Sequence, residues 1–133
     1  MYLIDTNIIS ELRKPRPYVG VISWLEQTAE TDLYLSAVTL GEIQAGIEIT
    51  REQDKHKASI IEAWLAQIAQ TYNILPMNAE TFRVWAKLMH KESNTVYEDA
   101  MIAATAIVHK LTVVTRNIRD FKRFEVQVFN PFA

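Results

Sequence analysis

The sequence predicts an α/β domain: a short central parallel sheet of about five strands, flanked by helices on both faces. Three observations carry this expectation. Short apolar runs recur along the chain, and the segments between them repeat their apolar residues at three- and four-residue steps. That alternation of strand and helix implies a parallel sheet with both faces covered. The 133 residues, 49% of them apolar and 23% charged, contain no linker, repeat or low-complexity stretch, so residues 1–133 are expected to form a single domain.

Taken in order, Tyr2-Leu3-Ile4 ends at Asp5 and reads as a buried strand, with a helix from about Ile8 to Leu12. Pro15 and Pro17 end that helix, and Pro17 suits the first turn of the next, which presents Ile22, Trp24 and Leu25 and runs to about Ala29. Leu33-Tyr34-Leu35 is the second strand. Ser36 then caps a helix carrying Leu40, Ile43 and Ile47. A charged stretch from Arg51 to Lys57 leads into a helical stripe of Ile60, Ile61, Trp64, Leu65 and Ile68. Asn73 to Pro76 is the third strand, and Asn78 caps a helix with Phe82, Trp85, Leu88 and Met89. Thr95 and Glu98 have capping-box spacing ahead of the apolar run from Ala100 to Val108. Leu111 to Thr115 is the fourth strand, and Val126 to Val128 a weaker fifth. Trp24, Trp64 and Trp85 fall on apolar stripes and read as core.

Several function classes are excluded. With only Gly20, Gly41 and Gly46 present, no dinucleotide-binding loop can be written, and Gly41 to Gly46 lacks the Lys and Ser or Thr of a phosphate loop. Zero cysteines remove disulfides and thiolate metal sites, and agree with a reducing, cytoplasmic setting. His56, His90 and His109 show no zinc spacing, and no Gly-x-Ser-x-Gly elbow exists. Charges early in the chain argue against a signal peptide, and no apolar run approaches the ~20 residues of a membrane span, so a soluble protein is expected. The net charge of −2 argues against a general nucleic-acid binder, yet basic residues are clustered. Lys110, Arg116, Arg119, Lys122 and Arg123 form one group and Arg13, Lys14 and Arg16 another; each is either a solvated face or a phosphate track.

Parallel α/β sheets place ligand sites beyond the carboxyl ends of their strands. The first strand delivers Asp5-Thr6-Asn7 there, and the fourth delivers Thr115-Arg116-Asn117 with Asp120 a turn later. Asp5 is either a turn acceptor or a site acid. Asp99 shares a helical face with Ile102, Ala103 and Ala106, so it is either compensating the helix dipole or an inward carboxylate needing a partner. Glu42 is either an ordinary exposed glutamate or an acid reaching across a cleft, with Ala45 and Gly46 small enough to let another element approach. Clustered at the sheet edge, three carboxylates would suit Mg²⁺ or Mn²⁺ better than zinc.

Four blocks then resemble the PIN-domain ribonucleases, and most closely the VapC-type, FitB-like toxins of bacterial toxin–antitoxin pairs. These are Asp5-Thr6-Asn7-Ile8-Ile9-Ser10; Thr39-Leu40-Gly41-Glu42-Ile43; Glu98 to Ala106; and Val114 to Phe121, in the family's order across nearly the whole chain. The resemblance implies that Asp5, Glu42 and Asp99 hold a divalent cation, Mg²⁺ or in substitution Mn²⁺, and that RNA, transfer RNA or another structured RNA, is hydrolysed by metal-activated water. The family often has a fourth acid where Asn117 stands, so Asn117 is expected to coordinate or to orient a water. Thr6, Asn7, Thr115 and Asp120 are the implied supporting residues, and Arg13, Lys14, Arg116, Arg119, Lys122 and Arg123 the phosphate contacts. A cognate antitoxin and a homodimer, with higher toxin–antitoxin assembly, are implied as partners. Two rivals remain: a PIN-fold binding module acting with an antitoxin on operator DNA, and a haloacid-dehalogenase-type phosphatase, whose second aspartate is replaced by Asn7.

Overall fold

The computed structural model describes residues 1–133 and contains five strands: β1 (Tyr2–Ile4), β2 (Leu33–Ser36), β3 (Asn73–Leu75), β4 (Thr112–Val114) and β5 (Val128–Phe129). Seven α-helices connect them: α1 (Thr6–Glu11), α2 (Val19–Gln27), α3 (Ala37–Gln53), α4 (Lys55–Thr71), α5 (Ala79–Met89), α6 (Tyr97–His109) and α7 (Ile118–Lys122). The strand order is β3-β2-β1-β4-β5, every pair parallel, with Leu3 opposite Tyr34 on one side and Val113 on the other. The chain leaves β1 in one direction, through β2 to β3, then returns past β1 to form β4. The order therefore reverses between β1 and β4, and the crevice of a parallel sheet opens at such a reversal.

Successive residues of a strand face opposite ways, and β1 and β4 show this directly. Leu3 and Val113 enter one core with Ala100, Ile102, Ala103, Ala106, Phe121 and Phe124, beneath α6 and α7. Ile4 and Val114 enter the other with Ile8, Ile9, Val21, Leu35 and Ile68, beneath α1, α2 and α4. The four buried alanines of α6, Ala100, Ala103, Ala104 and Ala106, keep that helix close to the sheet. A third cluster, Ile47, Ala58, Ile61 and Leu65, joins α3 to α4 as a helical hairpin.

Caps behave largely as their side chains dictate. Ser36 accepts from Val38 N–H at 3.1 Å and Asn78 from Thr81 N–H at 3.0 Å. Asp5 accepts from Thr6 N–H, so α1 starts at Thr6, two residues earlier than expected. The capping box at Thr95 and Glu98 does not form. Asn94–Val96 is a 3-10 turn, the Thr95 hydroxyl is bonded to Ser93 at 2.6 Å, and α6 starts at Tyr97 without a side-chain cap. The local serine–threonine contact has displaced the helical one. The fifth strand also lies later than Val126–Val128: Glu125 turns in the left-handed region (φ 58°), Gln127 makes the first bond to β4 by accepting Val113 N–H at 2.9 Å, and the paired residues are Val128 and Phe129. Helix α7 was not expected at all. The three tryptophans flank the cores, half-buried, and Trp85 donates from Nε1 to the carbonyl of Tyr97 at 3.2 Å.

Candidate active site

Asp5 leaves β1 at the crevice and is 4% exposed. Its Oδ1 accepts from Thr6 N–H at 2.8 Å; its Oδ2 accepts from the Thr115 hydroxyl at 2.8 Å and Asn7 Nδ2 at 3.1 Å. Three donors fix the carboxylate's orientation. Burial nevertheless pushes its pKa up, outweighing those bonds, and the charge of Asp120 adds to the rise. Thr115, fully buried at the end of β4, accepts Asn117 N–H at 2.9 Å on the same oxygen that donates to Asp5. Asn7 completes the seam, its Oδ1 accepting Arg116 N–H at 3.3 Å. Two adjacent parallel strands thus splice their trailing loops together through side chains, where ladder bonds have run out.

Glu42 arrives from α3, and its Oε1 accepts from the Thr6 hydroxyl at 2.9 Å; Thr39 Oγ1 lies 3.1 Å from that hydroxyl. Partial burial raises the Glu42 pKa, opposed by Thr6 and reinforced by Asp5, Glu98 and Asp99. Asp99 arrives from the first turn of α6 and is pushed up to about 6, first by burial and then by Asp5, Asp120 and Glu98, with Arg123 opposing. No hydrogen bond holds it. The pattern describes a cluster of acids whose fields overlap from four elements: β1, α3, α6 and α7.

Asp120 is the fourth acid of this field, since it raises both Asp5 and Asp99. Asn117 is exposed, contributes its backbone N–H to Thr115, and makes no side-chain hydrogen bond. Glu98, expected as a capping residue, instead adds charge beside Glu42 and Asp99. No packing element approaches Gly46 as its size suggested: a Cβ there would meet nothing within 4 Å. A groove of about 360 Å³ occupies that space, lined by Thr6, Ser10, Arg13, Glu42, Gly46 and Lys57 among others.

The donor set is all oxygen, which suits a hard divalent cation and not zinc. No three of these side chains converge into a preformed cage. Burial first, and the fields of neighbouring carboxylates second, raise the pKa values of Asp5, Glu42 and Asp99, and both costs are ones a cation would relieve.

The basic residues divide by what they touch. Arg13 lies over the Trp64 ring, Cζ 5.5 Å from its centroid, and Arg116 over Phe132 at 4.6 Å. Lys14 is 2.8 Å from the buried Glu11, which also accepts Tyr18 N–H at 2.9 Å and so pins the loop carrying Arg13, Lys14 and Arg16. Arg123 is 3.5 Å from Glu92 and 4.0 Å from Asp120. Arg16, Arg119 and Lys122 are exposed. Lys110 caps the far end of α6, eleven residues after Asp99 and about 16 Å along the helix, so it leaves the basic group at the site.

Residues 2–127 match the sequence profile described as the PIN domain. The chain is 35% identical to the toxin FitB of Neisseria gonorrhoeae, covering 99% of both chains. It is 32% identical to a VapC ribonuclease of Sinorhizobium fredii, covering 99% of this chain and 98% of that one. A solved structure of FitAB bound to a DNA fragment superposes with a TM-score of 0.86 at 33% identity, over 100% of this chain and 96% of the other.

Proposed function

The chain belongs to the PIN-domain family, and on that premise we propose that it is a metal-dependent endoribonuclease, the toxin of a toxin–antitoxin pair. The observation that carries this reading is the overlap of Asp5, Glu42, Asp99 and Asp120 at the reversal point of the sheet, with Asp99 pushed up to about 6. Acids so placed lose stability by ionising together unless a cation joins them. The relatives named as ribonuclease and toxin support the same assignment.

Asp5, Glu42 and Asp99 would hold Mg²⁺ or Mn²⁺, with Asp120 able to complete the set. A bound divalent ion at such a site lowers the pKa of a water and neutralises a phosphodiester, which is the chemistry RNA hydrolysis requires. The chain's own residues supply orientation. Thr115, Asn7 and Thr6 N–H present Asp5 in one pose, and the Thr6 hydroxyl steers Glu42 toward it. Asp99, held by packing of α6 rather than by hydrogen bonds, keeps the freedom to close on the ion. The substrate class is RNA, with transfer RNA or another structured RNA the leading candidate, and the partners are an antitoxin and a second copy of the chain.

Cleavage of end-labelled total RNA and transfer RNA tests the proposal, with Mg²⁺, Mn²⁺ or EDTA, comparing the natural protein with Asp99→Asn. Metal-dependent cutting that disappears in the variant supports it. A second reading, a catalytically weak PIN module acting with an antitoxin on DNA, draws on Asn117 standing where the family often has an acid, and on the FitAB–DNA relative. Silence of the natural protein on every RNA, with retained partner-dependent DNA binding, would favour that reading.

A further inference from the structure

Net charge leaves the location of any RNA-backbone contact open, and seven exposed cations compete for the role; what each one touches separates them. Lys14 and Arg123 are drawn to carboxylates, Lys14 at 2.8 Å from Glu11 and Arg123 at 3.5 Å from Glu92 and 4.0 Å from Asp120. Arg16, Arg119 and Lys122 are exposed with no contact that fixes a conformation. Arg13 and Arg116 differ from both groups. Each guanidinium carbon lies over the face of an aromatic ring, Trp64 at 5.5 Å and Phe132 at 4.6 Å, and neither arginine side chain makes a hydrogen bond or an ion pair. A cation–π contact uses the face of the guanidinium and leaves the donor fork free, so the side chain is ordered before a ligand arrives. The free fork matches the paired oxygens of a phosphate.

The rings are themselves fixed. Phe132 packs against Tyr18 with centroids 5.2 Å apart, its N–H bonded to Asn130 Oδ1 at 2.9 Å. Preceding it, the buried Pro131 lies so close to α2 that a Cβ on Gly20 would come within 2.8 Å of the Pro131 carbonyl. Glu11, buried beneath the same loop, receives the field of Arg116 as well as its bond to Lys14. Trp64 belongs to α4 and packs between two cores. Both arginines also adjoin the carboxylates: Arg13 lines the groove that contains Glu42 and Thr6, and Arg116 follows the residue that donates to Asp5.

We propose that Arg13 and Arg116 are the two preset anchors for RNA phosphates beside the cleavage site, and that Trp64 and Phe132 are positioning residues acting through them. The proposal rests on the ribonuclease reading for its substrate class. It assigns to the segment after β5 a part in substrate binding, through Phe132, although that segment contributes no acid and no base.

The test measures binding without turnover. In an Asp99→Asn background, anisotropy of a fluorescent mixed-sequence RNA, single-stranded and as a hairpin, is followed against salt concentration. Arg13→Ala and Arg116→Ala are each expected to weaken binding roughly five- to tenfold and to reduce the salt slope by about 0.7. Arg116→Lys and Phe132→Leu are expected to weaken it two- to fivefold, on the order of a partial loss of stacking, with the slope unchanged. Phe132→Tyr, which keeps a ring, restores binding, whereas a merely structural Phe132 would change the melting temperature and not the affinity. Trp64→Phe is the matching conservative change for Arg13. Arg83→Ala on α5 controls for loss of a surface charge. Equal or larger losses in Arg119→Ala or Lys122→Ala, or unaltered affinity in Phe132→Leu, would overturn the proposal while leaving the nuclease reading intact. If the natural protein cuts no RNA but the variants still rank as expected, the anchors stand and the nuclease reading falls. Absence of RNA binding in every form overturns both.

Discussion

The two halves of the acidic site are built by opposite means. On the sheet side, Asp5 receives three hydrogen bonds, from Thr6 N–H, Asn7 and Thr115, and sits almost wholly out of water. On the helix side, Asp99 has no hydrogen-bond partner and only a single nearby cation, Arg123, moderating its repulsions; Glu42 has one partner, Thr6. One carboxylate is therefore oriented before any ligand binds, and the others are placed but unsatisfied. One oriented carboxylate beside unsatisfied neighbours is the arrangement on which the proposed cation site rests.

Removing the unsatisfied half gives the largest effect. Asp99→Asn is expected to lower RNA cleavage by roughly 10³-fold or more while raising the stability of the metal-free protein by on the order of 1 kcal/mol at pH 7, a figure reduced for partial solvent screening. Single-turnover cleavage and denaturant unfolding read the two effects, and a destabilised Asp99→Asn would break the comparison. The structural frame comes next. Phe121, fully buried on the short helix that presents Asp120, joins α7 to the core beneath α6. Phe121→Ala is expected to cost about 3–5 kcal/mol in urea unfolding.

The preorganised half is sharpened by Thr115→Val, which removes a donor from Asp5 and leaves the Asn117 N–H without its acceptor. A loss of about 1.5–3 kcal/mol is expected, with cleavage falling too, and Thr115→Ser recovering most of both. Thr6→Val steers only Glu42, so its effect on cleavage is smaller, roughly tenfold. The smallest effect is the pH dependence. Asp99 has a folded pKa of about 6 against an ordinary 3.8, and Asp5 and Glu42 shift the same way. The folded state then binds more protons than the unfolded chain between these values. Metal-free protein should gain stability as pH falls from 7 through 6 toward 4, and lose it as pH rises back through 6. Saturating Mg²⁺ should flatten that gain.

Much of this was legible in the sequence where one residue does one local job. Asp5 follows an apolar run at a strand end, and Asn78 and Ser36 cap as their side chains require. The order of the five strands, and hence the reversal at β1 and β4, is a long-range property that no single segment carries. Asp120 was expected only as a supporting residue a turn after the fourth strand; α7, a five-residue helix too short to show periodicity, carries it where its charge acts on both Asp5 and Asp99. Glu98 was hidden by its spacing from Thr95, because a bond between Ser93 and Thr95 competes locally with the capping box. Gly46 suggested close packing, but small size fits an open groove equally well, and only the fold decides between them. Phe132 gave no signal, since its partner Arg116 lies on a different loop.

Completion of the raised acids by a divalent cation is decided by calorimetric unfolding of the natural protein and Asp99→Asn, with EDTA or Mg²⁺ at pH 7.5. Mg²⁺ is expected to raise the melting temperature of the natural protein and not that of Asp99→Asn, while the variant melts higher than the natural protein in EDTA. Equal Mg²⁺ responses in the two proteins, or a natural protein indifferent to Mg²⁺, would contradict it.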